Sequence, residues 1–169
     1  GASRFVDKTL ENYLHVGLIA ILFPRAVILQ AVRDPMDVGF ACYRQLFVSG
    51  NETLYDLADI GAEYRRYVGL IDHWATVLPG RVRDVVYEAL VDDPQGQIPR
   101  LVAELAGLPW DAATLRPHER GGAVQTASAS QVRRPIYRSS VERWRRHAEQ
   151  LRPLAEALGV DAELRSPAE

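Results

Sequence analysis

Three side chains that can contact an anionic ligand each lie at the carboxyl end of a segment predicted to be a β-strand. They are Lys8, Arg33 and Tyr87. Ligands of open parallel sheets bind outside the carboxyl ends of the strands, so side chains at these ends can share one site. Each residue alone also fits an ordinary surface position at a strand end. Because all three would lie on one edge, we predict an anion-binding site there.

Arg33 carries the strongest signal of the three. It directly follows the apolar segment Ala26–Val32, and the Asp34-Pro35 pair after it is typical of the start of a helix. A guanidinium beside the free backbone N–H groups of a helix N-terminus makes a strong anion site. The alternative is a structural ion pair of Arg33 with Asp34 or Asp37.

Lys8 stands out through composition. The chain has 20 basic residues, and Lys8 is the single lysine among them. A genome-wide preference for arginine codons explains most of this bias. A lysine kept against that background would suit a site that needs a compact point charge beside a phosphoryl or sulfuryl oxygen.

A second basic group lies in the segment Gln131–Ser140. We predict that a helix begins at Ser139 or Ser140, where a serine cap beside arginine can hold a phosphate. The same serine can be only a cap, with the arginines facing water. The arginines that continue to Arg152 could form a nucleic-acid stripe, but interspersed glutamates make a solvated helix face the better interpretation.

Apolar periodicity and turn residues predict an α/β protein in which strands alternate with helices around a parallel sheet. The segment Arg120–Ser130 is predicted to be a loop. The predicted strands are Arg4–Asp7, Ala26–Val32 and Val82–Tyr87. The predicted helical segments are Glu11–Phe23 (largely buried), Pro35 to about Phe47, Leu57–Leu78, Pro94–Leu105 and Ser140–Leu158.

Bulk properties narrow the possible functions. The 169 residues fit one domain, and the net charge of −2 gives no general attraction to nucleic acid or membranes. Cys42 is the single cysteine, so an intrachain disulfide is impossible, and a buried small apolar side chain is the expected role. The histidines have no metal-ligand spacing. We expect a cytoplasmic protein without a signal peptide, with residues 1–3 as a cloning remnant and residues 160–169 as a tail.

Several short blocks of residues follow one another along the chain in a specific order and spacing. They are Asp7-Lys8 with Asn12 and Leu14–Ile19; Val32–Pro35 with Asp37 and Cys42-Tyr43; His73-Trp74 with Leu78–Gly80; Val86–Glu88 with Leu90-Val91 and Asp93-Pro94; Gly107–Trp110; and Thr126–Ser128, Gln131–Tyr137, Ser140-Val141 and Arg143-Trp144. Together they resemble the PAPS-dependent sulfotransferases, in particular the bacterial group often fused behind tetratricopeptide repeats. The stretch Gln131–Trp144 also resembles the tyrosylprotein sulfotransferases.

The resemblance implies a role for each matched position. Lys8 would steady the transferring sulfuryl group, and Arg33 would hold the 3′-phosphate of PAPS. Tyr87 would line the adenine pocket, and Arg134 would lie near the nucleotide phosphates. The cofactor would be PAPS, with PAP as the product and no metal.

Further nucleotide contacts are implied by two other segments. Thr126 and Ser128 would belong to the loop that closes over the nucleotide. In cytosolic sulfotransferases a second group of residues binds the 3′-phosphate, and the matching positions here are Arg138, Ser139 and Ser140.

The chain also departs from the family pattern. Ala41 stands where a serine normally shares the 3′-phosphate, and Leu10 replaces a usual proline. A hydrogen bond to a charged group is worth about 1.5–3 kcal/mol, so we expect weaker PAPS binding unless another group substitutes. The phosphosulfate loop and the base that deprotonates the acceptor have no match.

We therefore expect residues 4–159 to be the C-terminal portion of a sulfotransferase domain. The implied fold is three-layered and similar to P-loop nucleotide hydrolases, with its first strand and loop missing. The implied acceptor is a hydroxyl, with a protein tyrosine or a small molecule as candidates, and we expect the chain alone to be inactive. The alternatives are a non-catalytic nucleotide-binding or interaction module and a P-loop kinase-like protein. A homodimer formed through Leu57–Leu78 and upstream tetratricopeptide repeats are further expectations, with no nucleic-acid or membrane partner.

Overall fold

The computed structural model describes residues 5–45, 52–119 and 133–160. Its organisation follows the order helix, strand, helix, helix, strand and helices. The predicted loop residues Thr126 and Ser128 lie outside the described residues. So do the presumed cloning remnant and all but the first residue of the predicted tail.

The described residues contain one short parallel sheet. Strand β1, Ile28–Val32, pairs in parallel with strand β2, Val82–Val86, so that Val32 lies opposite Val86. Both strands are rich in β-branched residues, which favour extended backbone. Parallel neighbours need a long crossover connection, and two helices supply it here. The prediction of a parallel α/β arrangement is confirmed in this part of the chain.

The helices match most of the predicted segments. They are α1 Val16–Leu22, α2 Pro35–Tyr43, α3 Leu57–Val77, α4 Tyr87–Asp92, α5 Pro94–Arg100 and α6 Arg152–Leu158. Short 3₁₀-helices occupy Leu10–His15, Glu52–Tyr55, Ala112–Leu115, Pro117–Glu119 and Arg143–His147.

Helix α5 continues into a wider π-helical turn, Leu101–Leu105. Pro99 lies near the end of α5 and cannot donate a backbone hydrogen bond. After it, the N–H of Ala106 donates to the carbonyl of Leu101 at 2.9 Å, one residue further than in an α-helix. Gly107, with φ of 59°, then ends the segment as predicted.

The predicted strand at the start of the chain is wrong for the residues described. Phe5, Val6 and Asp7 form no regular structure, and the side chains of Phe5 and Val6 are 77 % and 92 % exposed. A strand is stabilised by hydrogen bonds to a neighbouring strand. In the described residues the sheet consists of β1 and β2, and neither pairs with this segment.

The helical segment that follows is correctly located but its predicted burial is wrong. Val16 is the buried residue of α1, whereas Leu18, Ile21 and Leu22 are 55 %, 78 % and 60 % exposed. The periodicity therefore identified an apolar face, but no element of the described residues covers most of it. The residues just before α1 are held to α3, because the indole N–H of Trp74 donates to the carbonyl of Tyr13 at 2.8 Å.

The buried core joins α2, α3 and the C-terminal segment. Its members are Met36, Phe40, Ile60, Trp144, Leu151, Leu154 and Ala155. Two glycines let these helices approach closely. A Cβ atom at Gly39 would lie 2.5 Å from a methyl carbon of Leu154, and one at Gly61 would lie 2.5 Å from the Cβ of Ala157.

The C-terminal helical segment is not one helix beginning at Ser139 or Ser140, and that prediction is wrong. Turns occupy 138–142, and Glu142 has a φ of 55° in the left-handed region, which ends helical geometry. The 3₁₀ turn Arg143–His147 follows, and α6 begins only at Arg152 with Pro153 in its first turn.

Candidate functional site

Arg33 and Tyr87 lie side by side at the carboxyl edge of the sheet. They directly follow Val32 and Val86, which are paired in the register of β1 and β2. The guanidinium carbon of Arg33 lies 5.0 Å from the centre of the Tyr87 ring, so the cation rests on the aromatic face. The predicted common edge is therefore confirmed for these two residues.

Arg33 is also tied to the segment that precedes Trp144. Its Nη2 donates to the carbonyl of Ser140 at 2.6 Å and lies 3.7 Å from Oδ2 of Asp37. The ion pair with Asp37 is one of the two alternatives that the sequence left open. The Nε of Arg33 is shielded from solvent and has no hydrogen-bond acceptor among the residues that the structure describes. Arg33 thus retains a donor for a further acceptor.

Asp37 is the polar centre of this region. Its carboxylate is fully buried. Oδ2 accepts the backbone N–H of Glu142 at 2.7 Å, and Oδ1 accepts the N–H of Trp144 at 3.1 Å. These bonds hold the residues around Glu142 against α2 and explain the break in the predicted helix. The spacing of Arg33 and Asp37, four residues apart at the start of a predicted helix, was the available signal for this pair.

Asp34 fixes the direction in which α2 leaves the sheet. Its side chain caps the helix by accepting the N–H of Asp37 at 2.9 Å, as predicted, and its own N–H donates to Oε1 of Glu88 at 2.9 Å. Burial raises the pKa of Asp34, and the nearby carboxylates of Asp37 and Glu88 act in the same direction, while the capping bonds oppose them. These contacts join the ends of both strands.

A cavity of about 200 Å³ opens beside Arg33. Ligand pockets for drug-sized molecules measure about 300–1,000 Å³, so this cavity matches one group of a ligand rather than a whole nucleotide. Sequence reasoning identified Arg33, Ala41 and Ser140 but missed the other basic residues, whose convergence depends on packing between α2 and the segment near Trp144. The residues that line the cavity are Arg33, Asp37, Phe40, Ala41, Arg44, Gln45, Ser140 and Arg143.

Lys8 and Arg134, two other predicted site residues, do not line the cavity beside Arg33. Lys8 is exposed in an irregular segment, so it does not end a strand, and no contact joins it to Arg33 in the described residues. Arg134 is also exposed. Neither residue has a carboxylate partner in the described parts of the chain.

The segment predicted to make a second phosphate contact adopts turns. The Nε of Arg138 lies 2.8 Å from Oδ1 of Asp92, and both side chains are well exposed. Ser139 is exposed, and Ser140 meets Arg33 through its carbonyl group. In this conformation Ser140 is the member of this segment that reaches the Arg33 cavity.

The described residues also bear on metal binding, on membrane spanning and on the environment of Cys42. Across residues 5–45, 52–119 and 133–160, no group of three or more His, Cys, Asp or Glu side chains could hold a metal ion. In the same ranges no helix is long and apolar enough to cross a membrane. Cys42 is partly buried against the core, and burial raises the pKa of its thiol.

Comparison with known proteins adds two findings. Residues 1–112 match the model of the sulfotransferase family. An uncharacterized protein of Aquifex aeolicus (strain VF5) is 36% identical over 158 residues, which cover 92% of this chain and 21% of that relative. The chain thus spans about a fifth of the length of the relative it matches.

Proposed function

Because the chain belongs to the sulfotransferase family, we propose that it takes part in transferring a sulfuryl group from PAPS to a hydroxyl acceptor. The family membership supports sulfuryl transfer in general. The donor and the residues that bind it are part of the proposal. We further propose that the chain falls in the bacterial group associated with tetratricopeptide repeats, which the order of its motifs favours.

The cavity beside Arg33 is the observation that carries this proposal. A nucleotide 3′-phosphate needs cationic donors in a partly enclosed position, and Arg33 provides a guanidinium at the carboxyl edge of the sheet. Its shielded Nε has no acceptor among the described residues. A buried donor without an acceptor is costly, and a phosphate oxygen would satisfy it. The residues present therefore fit the 3′-phosphate.

Tyr87 supports the same assignment. Its ring adjoins Arg33, so a base that stacks on this ring would belong to a nucleotide whose 3′-phosphate reaches the cavity. PAPS would supply the sulfuryl group when bound. The chain's own residues would bind and orient the nucleotide, using contacts remote from the reacting sulfur.

The remaining assignments are proposals from the family resemblance. We assign Lys8 to the sulfuryl group and Arg134 to the nucleotide phosphates, and their exposed positions leave both accessible to a ligand. Thr126 and Ser128 are assigned to the segment that covers the nucleotide. Arg138, Ser139 and Ser140 are assigned to the second phosphate contact. Arg138 would have to leave Asp92 to reach it.

We also propose that further strands, including one that leads into a phosphosulfate-binding loop, extend this sheet in the whole protein. Exposed apolar side chains on α1 and β1 support this proposal, since Ile21 is 78 % and Leu29 is 39 % exposed. Large exposed apolar surfaces usually contact another element or partner. Within the described residues β1 pairs with β2 alone, so its other edge is open.

For the acceptor we propose a compound that carries a hydroxyl group. A protein tyrosine is favoured by the resemblance of Gln131–Trp144 to tyrosylprotein sulfotransferases, and a small hydroxyl compound is the alternative. Upstream tetratricopeptide repeats and pairing of two copies through α3 are further proposals. A non-catalytic nucleotide-binding module is the second candidate function, favoured by Ala41, which lines the cavity and cannot donate a hydrogen bond to a phosphate.

Calorimetric titration with adenosine 3′,5′-bisphosphate tests the proposal. Arg33→Ala removes a charge-assisted contact, so we expect at least a tenfold loss of affinity. Arg65→Ala is the matched control, because Arg65 is an exposed arginine of α3 that does not line the cavity. Equal affinities of the Arg33→Ala variant and the unchanged protein would remove Arg33 from the site.

A further inference from the structure

Two arginines without an assigned role line the cavity beside Arg33. Arg44 lies just beyond the C-terminal end of α2, and Arg143 begins the 3₁₀ turn that precedes α6. The two residues are about a hundred positions apart in the sequence. Chain topology, rather than local sequence, brings them together with Arg33.

The charges of the cavity lining do not cancel. Arg33, Arg44 and Arg143 face a single carboxylate, that of Asp37. This carboxylate already accepts two backbone N–H groups and lies beside Arg33. Within the described residues neither Arg44 nor Arg143 forms an ion pair with a carboxylate. With three positive charges and one negative charge, the lining carries a formal charge of +2, which matches a phosphate monoester dianion.

The position of Arg44 is supported by an aromatic contact. Its guanidinium carbon lies 5.2 Å from the centre of the Phe40 ring, and that ring also packs on His147 with centroids 4.8 Å apart. Phe40 is a buried core residue. A cation held on an aromatic face loses less conformational freedom when it binds a ligand.

Ala41 explains why additional donors would be needed. It lines the same cavity between Arg33 and Arg44 in sequence, but its methyl group cannot form a hydrogen bond. A ligand phosphate in the cavity therefore has to find its donors elsewhere. The side chains of Arg44 and Arg143 are the cationic donors of the lining that remain besides Arg33.

We propose that Arg44 and Arg143 bind the 3′-phosphate together with Arg33 and thereby replace the donor that Ala41 lacks, so that binding of a 3′-phosphate in this chain depends on these two residues. The inference rests on the proposed function, because it takes the cavity as the 3′-phosphate site. It assigns this binding to two residues that contact the phosphate of the ligand and take no part in the transfer itself.

Affinities of the full-length protein for adenosine 3′,5′-bisphosphate and for AMP test the inference. Arg44→Gln and Arg143→Gln should each weaken binding of the bisphosphate about tenfold and leave AMP binding unchanged, because AMP has no 3′-phosphate. Arg44→Lys keeps the charge and should lose less than Arg44→Gln. Arg146→Gln is the control, because Arg146 lies in the same 3₁₀ turn as Arg143 but does not line the cavity. Thermal unfolding of each variant verifies that it is folded.

The outcomes separate this inference from the proposed function. If Arg33→Ala weakens bisphosphate binding but both glutamine variants bind it normally, the inference is overturned and the proposed function stands. If Arg33→Ala also has no effect, the proposed function fails and the inference fails with it. An equal loss for both nucleotides would indicate general electrostatic attraction and would overturn the assignment of these two residues to the 3′-phosphate.

Discussion

Replacement of Asp37 by alanine tests the network that holds the site together. The substitution leaves the N–H groups of Glu142 and Trp144 without their acceptor and removes the buried carboxylate beside Arg33. Removing one partner of a buried ion pair costs about 3–5 kcal/mol, in line with about 1.5–3 kcal/mol for each hydrogen bond to a charged group. We expect the free energy of unfolding to fall by about 3–5 kcal/mol, a large part of the total for a small domain. Asp37→Asn keeps one acceptor oxygen, so its loss should be smaller.

Urea denaturation followed by tryptophan fluorescence measures this loss, and Trp144 lies inside the affected region. Asp92→Ala is the matched control, because Asp92 pairs with Arg138 at the surface. Exposed ion pairs contribute about 0–1 kcal/mol, so this variant should be nearly as stable as the unchanged protein. If Asp37→Ala loses no more stability than Asp92→Ala, the buried carboxylate does not hold the Glu142 segment and this reasoning is refuted.

Two other substitutions test packing and charge. Gly61→Ala should lower the free energy of unfolding by about 1–3 kcal/mol, because the added methyl group would press on Ala157. Gly69→Ala, in an open part of the same helix, should raise the free energy of unfolding by about 0.4–1 kcal/mol. Equal effects of the two substitutions in denaturant titrations would contradict the contact between Gly61 and Ala157. The raised pKa of Asp34 means that the folded chain binds the proton more tightly than the unfolded chain, so stability should decline as pH rises from the ordinary aspartate pKa to the raised value. Asp34→Asn keeps the cap and should flatten this decline; an unchanged pH profile in unfolding measurements would contradict the assignment.

Local signals predicted the elements that depend on local interactions. The Asp34-Pro35 pair starts α2 as expected, since a side-chain cap and a proline act within one turn. The apolar run that contains β1 and the long amphipathic pattern of α3 were also sufficient. The carboxyl ends of the two parallel strands then placed Arg33 and Tyr87 together.

The failures have non-local causes. The helix predicted to begin at Ser139 or Ser140 is interrupted because Asp37, about a hundred residues earlier, accepts the backbone N–H groups that follow. Strand formation at Phe5 needs a neighbouring strand that periodicity cannot reveal. Arg44 and Arg143 were missed because a cavity lining is set by how helices pack.

The most direct test of the central claim is a crystal structure of the protein with adenosine 3′,5′-bisphosphate. We predict that the 3′-phosphate lies in the cavity within about 2.7–3.2 Å of the Arg33 guanidinium nitrogens, with the base near Tyr87. A structure in which the nucleotide binds elsewhere, while Arg33 keeps only its contacts to Ser140 and Asp37, would contradict the account.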